Sequence, residues 1–504
     1  MTKVSLSLPH SLYRADQVKQ GERRIAKQRD IELYTLMERA GEAAFVLLRE
    51  QLPEVKCLLV CCGSGNNGGD GYVFARLARS AGLEVTVWHV GDESKLAPDC
   101  QRAREGWLES GGMITRQDAT VADQFECVID ALLGTGLKGE MRQEVTDVIA
   151  AINHSAAQVI SLDVPSGLHA DNGHVATTAV KADLTITFIG VKRGLMTGKA
   201  ADYTGSLHYS GLGIEAEFTA SVTPDCLRVM PMDVEPYLLP RKKTAHKGDH
   251  GRLLCVGGDH GMGGAIRLAS EAALRTGAGL VSVLTRPEHL TPLLAARPEL
   301  MVQGWQDKAH IAAGQCEWAD VLLIGPGLGQ SDWSKALTFH LQSEQKNTIL
   351  DADGLNLLAL SPDYNPNRLL TPHPGEAARL LGCSVADVER DRFDAVVHIQ
   401  QKYGGVVVLK GAGSLIYDGH QCWLVSAGNP GMASGGMGDV LSGILGALVA
   451  QGLSLSQAGV CGTWLHSQAA DLSSQAGERG MLASDLFPYI RQLVNPDRHD
   501  ANSI

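Results

Sequence analysis

Apolar residues recur along this 504-residue chain at two spacings, one helical and one strand-like. Leu33, Leu36, Met37, Ala40, Ala44, Leu47 and Leu48 return every three to four residues, which predicts a helical packing face within residues 16–50. A short run at 56–62 is apolar on both faces and predicts a buried strand. A glycine-rich turn follows, then a helix over about 72–80 whose Val73, Leu77 and Ala81 share one side. Further strands are expected at 84–90, 126–133, 159–164 and 184–189, separated as a parallel doubly wound sheet requires.

Residues 215–247 break this rhythm with Pro224, Pro231, Pro236 and Pro240, ahead of the basic stretch R-K-K-T-A-H-K. A boundary near residue 225 follows, with domains at 1–225 and 226–504. The second half starts a new alternation, with strands expected at 252–256, 280–284, 321–324, 348–350 and 406–409. It also has a helix at 265–275 and another opened by Asp439, carrying Val440, Leu441, Ile444, Leu445 and Leu448. The fold class expected is α/β throughout, in two domains, since 504 residues exceed one ordinary core. Short-period repeats and low-complexity tracts are absent.

Composition narrows the picture. Fifty-seven glycines against 5% aromatic residues suit tight turns and small-residue packing. A formal net charge of −12 argues against a surface that seeks nucleic acid, so any phosphate must be held locally. The eleven cysteines include no C-x-x-C pair, and Cys57, Cys61, Cys62, Cys127 and Cys255 lie in apolar runs, which reads as buried thiols in a reducing compartment. The first dozen residues lack an apolar leader core, and no later stretch holds 18 uncharged apolar residues. The expectation is a soluble cytoplasmic protein without a membrane or nucleic-acid partner.

Two glycine-rich anion cradles stand at strand-to-helix junctions, in different sequence styles. Backbone N–H groups at a helix start, bared by residues without side chains, attract phosphate. The first, S-G-N-N-G-G-D-G from Ser64 to Gly71, follows Gly63 so that G-x-G-x-x-G comes directly after a strand. It lacks the acidic ribose partner about twenty residues on, and the Lys-Ser/Thr ending of a P-loop. Asn66, Asn67 and Asp70 instead place polar groups inside the loop. Two further expected strand ends carry Asp130 followed by G-T-G-L-K-G-E, and Asp163 followed by V-P-S-G. Carboxyl ends of parallel strands face one side, so these loops can meet over one ligand.

These strings, with L-M-E-R-A-G before them, resemble the NAD(P)HX epimerases over about residues 16–215. The resemblance implies a Rossmann-like three-layer domain that interconverts the R and S forms of hydrated NADH and NADPH. It implies that Asn66, Asn67, Gly68, Gly69, Asp70, Gly134, Thr135, Gly136, Leu137, Lys138, Gly139, Glu140 and Asp163 bind the damaged cofactor. It further implies that Asn67, Asp130 and Ser166 hold a potassium ion (K+). Epimerising an aminal carbon needs ring-opening, or loss and return of hydroxide, and either route needs a proton shuttle. Asp163, a carboxylate at a strand end, is the candidate for both acid and base.

The second half carries H-K-G-D-H-G-R, G-P-G-L-G, D-A-D-G-L-N, T-P-H-P-G-E, K-G-A-G and N-P-G-M-A-S-G-G-M-G-D in order, and resembles ribokinase-like ADP-dependent NAD(P)HX dehydratases over about 250 residues. In such enzymes an aspartate closing the last glycine motif deprotonates the attacking hydroxyl beside a helix start, and Asp439 stands there. By the same resemblance, ADP, carried with Mg2+, lies against Lys410, Gly411, Ala412, Gly413 and Ser414. It also meets Asn429, Pro430, Gly431, Met432, Ala433, Ser434, Gly435, Gly436, Met437 and Gly438. Ala265, Gly327, His373 and Asp439 contact the hydrated cofactor. His373 replaces the Asn of the T-P-N-x-x-E motif of vitamin kinases, and Glu376 is placed to organise Mg2+ through water.

The implied reaction is phosphorylation of the C6 hydroxyl of the S epimer by ADP, then loss of phosphate as the ring nitrogen pushes, leaving NAD(P)H, AMP and phosphate. A homo-oligomer is the family-level expectation. A small-molecule kinase using Asp439 as base is the enzymatic alternative, against which His373 weighs. A ligand-sensing or RNA-associated scaffold built on the first domain is the non-enzymatic one, which the acidic balance disfavours.

Overall fold

The computed structural model describes residues 4–5, 7–115, 124–136, 139, 141–306, 309–342 and 346–495. They divide into two compact units, with the break in the chain between Arg228 and Val229.

The first unit is Rossmann-like. Its main sheet is parallel, in the spatial order Ile114–Thr115, Glu84–His89, Cys57–Cys62, Cys127–Ala131, Gln158–Leu162, Leu184–Phe188 and Ser206–Ser210. Strand alternation divides the core into two layers. Leu58, Val60 and Cys62 face helices Leu33–Gln51, Asn66–Ser80 and Pro98–Glu109, whereas Leu59 and Cys61 face helix Gln143–His154. The winding direction reverses between Cys57–Cys62 and Cys127–Ala131, so their carboxyl ends open a crevice. A small ribbon of Val191–Lys192, Ser11–Tyr13 and Cys226–Arg228 stands apart from this sheet, with Tyr13 in register with Lys192.

Two expectations change here. The single helical pattern over 16–50 is two helices, Ala15–Gln28 and Leu33–Gln51, because Asp30 turns the chain with φ of 52°. The helix expected from Tyr72 begins at Asn66, so the glycine loop is itself the first turn and a half of helix. Glycine's poor helix propensity is overridden by packing, since a Cβ at Gly68 would sit 1.9 Å from the Gly63 carbonyl oxygen.

The second unit is ribokinase-like. Parallel strands run in the order Met301–Gly304, Leu280–Thr285, Arg252–Val256, Val321–Ile324, Asn347–Leu350, Arg368–Leu370 and Val406–Leu409. Antiparallel strands Ser414–Tyr417 and Cys422–Val425 extend it. Helices Gly263–Thr276, Met437–Ala450, Leu455–Ser473 and Phe487–Leu493 cover one face with a largely aliphatic core. Within the stretch read as a linker, helix Glu215–Ser221 and strand Cys226–Arg228 form despite the prolines.

Candidate active sites

In the first unit, a cavity of about 880 Å³ opens at the crevice between the reversed strands. Asn66, Asn67 and Asp70 reach it from the glycine turn, Gly134, Thr135 and Gly136 from the next strand end, and Asp163 from the one after. Gly68 and Gly69 lie buried behind the turn, where they allow the helix to close on Gly63 and Met37. Gly139 is described but does not line the cavity. Leu137, Lys138 and Glu140 lie outside the described residues.

Asp163 takes a positive φ of 63° and is ion-paired with the buried Lys192, which also donates to Thr187 Oγ1 at 3.1 Å and to the Phe188 carbonyl at 3.0 Å. This lysine escaped the sequence reading, because nothing local in V-K-R-G distinguishes it from a surface lysine. Glu22, on helix Ala15–Gln28, also lines the cavity. Burial raises its carboxyl to about 7, against the pull of Lys192 and with repulsion from Asp163. Asp70 is likewise held well above the carboxylate range, by burial and then by Asp163 and Glu22.

Asp130 and Ser166 form a buried knot below the cavity. Ser166 Oγ donates to Asp130 Oδ1 at 2.5 Å, while Ser166 N and Ser161 Oγ both reach Oδ2 at 2.8 Å. Asn67 Nδ2 donates to the Leu133 carbonyl at 3.0 Å, and Asn67 Oδ1 is buried without a hydrogen-bond partner among the described residues. An oxygen-only set with one carboxylate and an unsatisfied amide oxygen fits a cation of low charge density.

In the second unit, Asp439 lies in the first turn of helix Met437–Ala450, whose N-cap Gly436 needs φ of 91°. Burial, then repulsion from Asp351, raises Asp439 to about 7, while Lys410 opposes both. Lys410 Nζ lies 2.9 Å from Asp351 Oδ1 and 3.7 Å from Glu376 Oε2. Burial works against its charge, but these carboxylates outweigh it and hold its pKa raised. Thr371 Oγ1 donates to the same Asp351 oxygen at 2.8 Å. A side chain at Gly438 would meet Lys410 Nζ at 3.2 Å, so the ammonium stands directly against the helix start.

The 429–438 loop is tied to helix Leu455–Ser473, where Asp471 accepts from Gly428 N and Asn429 Nδ2, both at 2.9 Å. Gly411, Ala412, Gly413 and Ser414 turn between strands Val406–Leu409 and Ser414–Tyr417, with Ser414 Oγ donating to Gly411 O at 3.0 Å. Ala265 and Gly327 are neighbours, since a Cβ on Gly327 would lie 3.1 Å from that of Ala265. His373 caps helix Pro374–Leu381, Nδ1 accepting from Gly375 N at 2.9 Å, and burial lowers its pKa so that the half-exposed ring is neutral. Glu376 is held within the same cluster. Oε2 accepts from His373 N at 2.8 Å and neighbours Lys410, and Oε1 lies 3.4 Å from His373 Nε2.

Residues that sequence reasoning missed include Asp351 and the buried Arg392, whose guanidinium donates to the Leu409 and Lys410 carbonyls at 3.3 and 3.2 Å. D-A-D-G-L-N was visible as a motif, but nothing in it singled out its first aspartate.

These arrangements define two α/β units, one with a Rossmann-like ligand crevice and one with a ribokinase-like carboxylate at a glycine-rich helix start. Residues 33–194 match the family described as YjeF-related protein N-terminus, and residues 253–492 match the family described as NAD(P)H-hydrate dehydratase. The chain is 48% identical over 504 residues to the bifunctional NAD(P)H-hydrate repair enzyme Nnr of Escherichia coli (strain K12), covering 100% of this chain and 97% of that protein. It is 49% identical over 490 residues to the enzyme of the same name from Coxiella burnetii, covering 96% and 99%. The crystal structure of hypothetic protein SMU.573 from Streptococcus mutans, at 29% identity and a TM-score of 0.50, covers 53% of this chain and 98% of its own. The chain belongs to the family of bifunctional NAD(P)H-hydrate repair enzymes.

Proposed function

We propose that the first unit interconverts the R and S epimers of hydrated NADH and NADPH, and that the second dehydrates the S epimer with ADP, releasing NAD(P)H, AMP and phosphate. The observation that carries the reading is Asp439, a carboxyl raised to about 7 at a helix start beside Lys410. A base of that pKa takes the C6 hydroxyl proton at neutral pH, while the backbone N–H groups and the ammonium stabilise the transferring phosphoryl. Mg2+ enters with ADP; the 410–414 and 429–438 turns cradle the nucleotide, and Ala265, Gly327 and His373 meet the hydrated ring.

In the first unit, Asn66, Asn67, Asp70, the 134–140 loop and Asp163 hold the substrate. K+ fits the oxygen set of Asn67, Asp130 and Ser166, where it would supply positive charge beneath the cavity. Eleven free thiols, most of them buried, support a reducing cytoplasmic setting, and the family resemblance carries the expectation of a homo-oligomer. Among the described residues no helix is long and apolar enough to cross a membrane.

The test is recovery of dihydronicotinamide absorbance from mixed R and S hydrated NADH with Mg2+ and either ADP or ATP. Complete recovery with ADP and poor recovery with ATP is expected. A halt at the S fraction removes the epimerase, and no recovery removes both activities.

A further inference from the structure

Asp163 alone is badly placed to act as both acid and base. The ammonium of the buried Lys192 donates directly to the Asp163 carboxylate, and this carboxyl would have to serve both faces of the reacting carbon from one strand end. The cavity supplies a second carboxyl. Glu22 reaches the same space from helix Ala15–Gln28, a different element from the strand end that carries Asp163, and it has no hydrogen-bond or ion-pair partner among the described residues. We propose that Glu22 is the acid partner of Asp163, so that epimerisation runs as departure and return of water between two carboxyl groups in opposite protonation states. This rests on the epimerase reading above.

In the forward step the proton of the Glu22 carboxyl passes to the C6 oxygen. The C6–O bond breaks to release water, and the lone pair of the ring nitrogen forms the N=C6 double bond of an iminium. A water molecule then adds to C6 from the other face, its oxygen forming the new bond and its proton going to Asp163. The substrate has inverted with its oxygen exchanged, Glu22 is ionised and Asp163 protonated. The reverse reaction uses the same groups with roles exchanged, as microscopic reversibility demands, and solvent resets the pair.

The charges around Glu22 suit this role. Lys192 favours its ionised form, as do Lys19 and Arg23 on its own helix, while burial and Asp163 favour the neutral form, leaving it near 7. Asp70, also facing Glu22, is raised well above the carboxylate range by burial and then by Asp163 and Glu22, while Lys192 opposes the rise. The group that titrates near neutrality is therefore Glu22, and R conversion should decline on the alkaline side as it ionises.

The test uses the full chain in water enriched in oxygen-18, with Mg2+ and ADP and each epimer supplied separately. Phosphate released from the R epimer should carry one solvent oxygen, acquired at C6 and handed over at elimination, whereas phosphate from the S epimer should carry label only to the extent that reverse epimerisation precedes its capture by ADP. Glu22→Gln should slow R conversion by about 10²–10⁴-fold and abolish the alkaline decline, with S consumption unchanged. Glu22→Asp, which keeps the acid, should recover at least tenfold of that loss. Unlabelled phosphate from the R epimer overturns the proposal in favour of ring-opening. Wild-type rates in Glu22→Gln overturn it, as do equal losses in Glu22→Gln and Glu22→Asp, which would mark Glu22 as structural. A wild-type protein that consumes S but never R instead refutes the underlying epimerase reading.

Discussion

Substituting Asp351 by Asn should make the dehydration of the S epimer more tolerant of acid. Asp439 is raised to about 7 by burial and, after that, by the Asp351 charge. As the base it must be ionised, so wild-type kcat/KM should fall about tenfold per pH unit well below 7. At an effective dielectric of about 20, a carboxylate charge within about 10 Å repels another by about 1.7 kcal/mol or more, which corresponds to about one pH unit or more. Lys410 loses a charged partner in the variant and turns more of its field on Asp439, which acts in the same direction. The acid limb should therefore move down by about one to two units. Asn keeps an oxygen for the Thr371 hydroxyl and the Lys410 ammonium, so the fold should survive. The assay is the rate of absorbance recovery from pure S epimer with saturating Mg2+ and ADP, across pH 5 to 9. A limb that stays near 7, or moves up, would refute Asp439 as the titrating base or Asp351 as its neighbour in charge.

Asp439→Ala should lower dehydration by about 10²–10⁴-fold while the R and S epimers still interconvert, read by chromatography of the remaining substrate. Asp163→Asn should do the reverse, with R accumulating and S repaired normally; equal loss on both would mean a folding defect. Gly68→Ala should destabilise the first unit by more than about 1–3 kcal/mol, because the new methyl meets backbone that cannot move aside, and differential scanning calorimetry should register a lowered transition. His466 is buried and held neutral, down to about 4, by burial and then by Lys410. The unfolded chain binds more protons than the folded one between about 4 and 6.5, so stability is lost as pH falls through that window, by up to about 3 kcal/mol. His466→Gln should flatten this part of the pH dependence in denaturant melts.

The alternation of strand and helix was open to reading because each buried parallel strand is a short apolar run with a glycine or aspartate at its end. Val321–Ile324 and Val406–Leu409 fall where the apolar runs place them. Some of the strands that escaped are hidden by their polarity. Ser206–Ser210 carries His208 and Tyr209, and Arg368–Leu370 opens with a buried arginine paired to Asp363. The ribbon Ser11–Tyr13 is three residues whose partners lie at the far end of the unit, and such a pairing has no local signature.

The same division between local and distant causes governs the two sites. A glycine demanded by close approach or positive φ advertises itself in its own motif, so both cradles could be found by inspection. A buried charge is defined by its partners, and those come from other strand ends. Lys192 turns inward because its two-residue strand pairs with Ser11–Tyr13 and delivers it to Asp163. Lys410 sits in a readable K-G-A-G, but its side chain joins Asp351 from the end of strand Asn347–Leu350 and Glu376 from the first turn of helix Pro374–Leu381. In each unit one lysine, the buried Lys192 or the part-buried Lys410, thus faces carboxylates supplied by different parts of the chain. Removing either lysine should cost about 3–5 kcal/mol by leaving a buried charge unpaired, and it would also reset the protonation of the groups around it. Stability and chemistry are therefore inseparable at Lys192 and Lys410, whereas isosteric changes at the surrounding carboxylates can separate them.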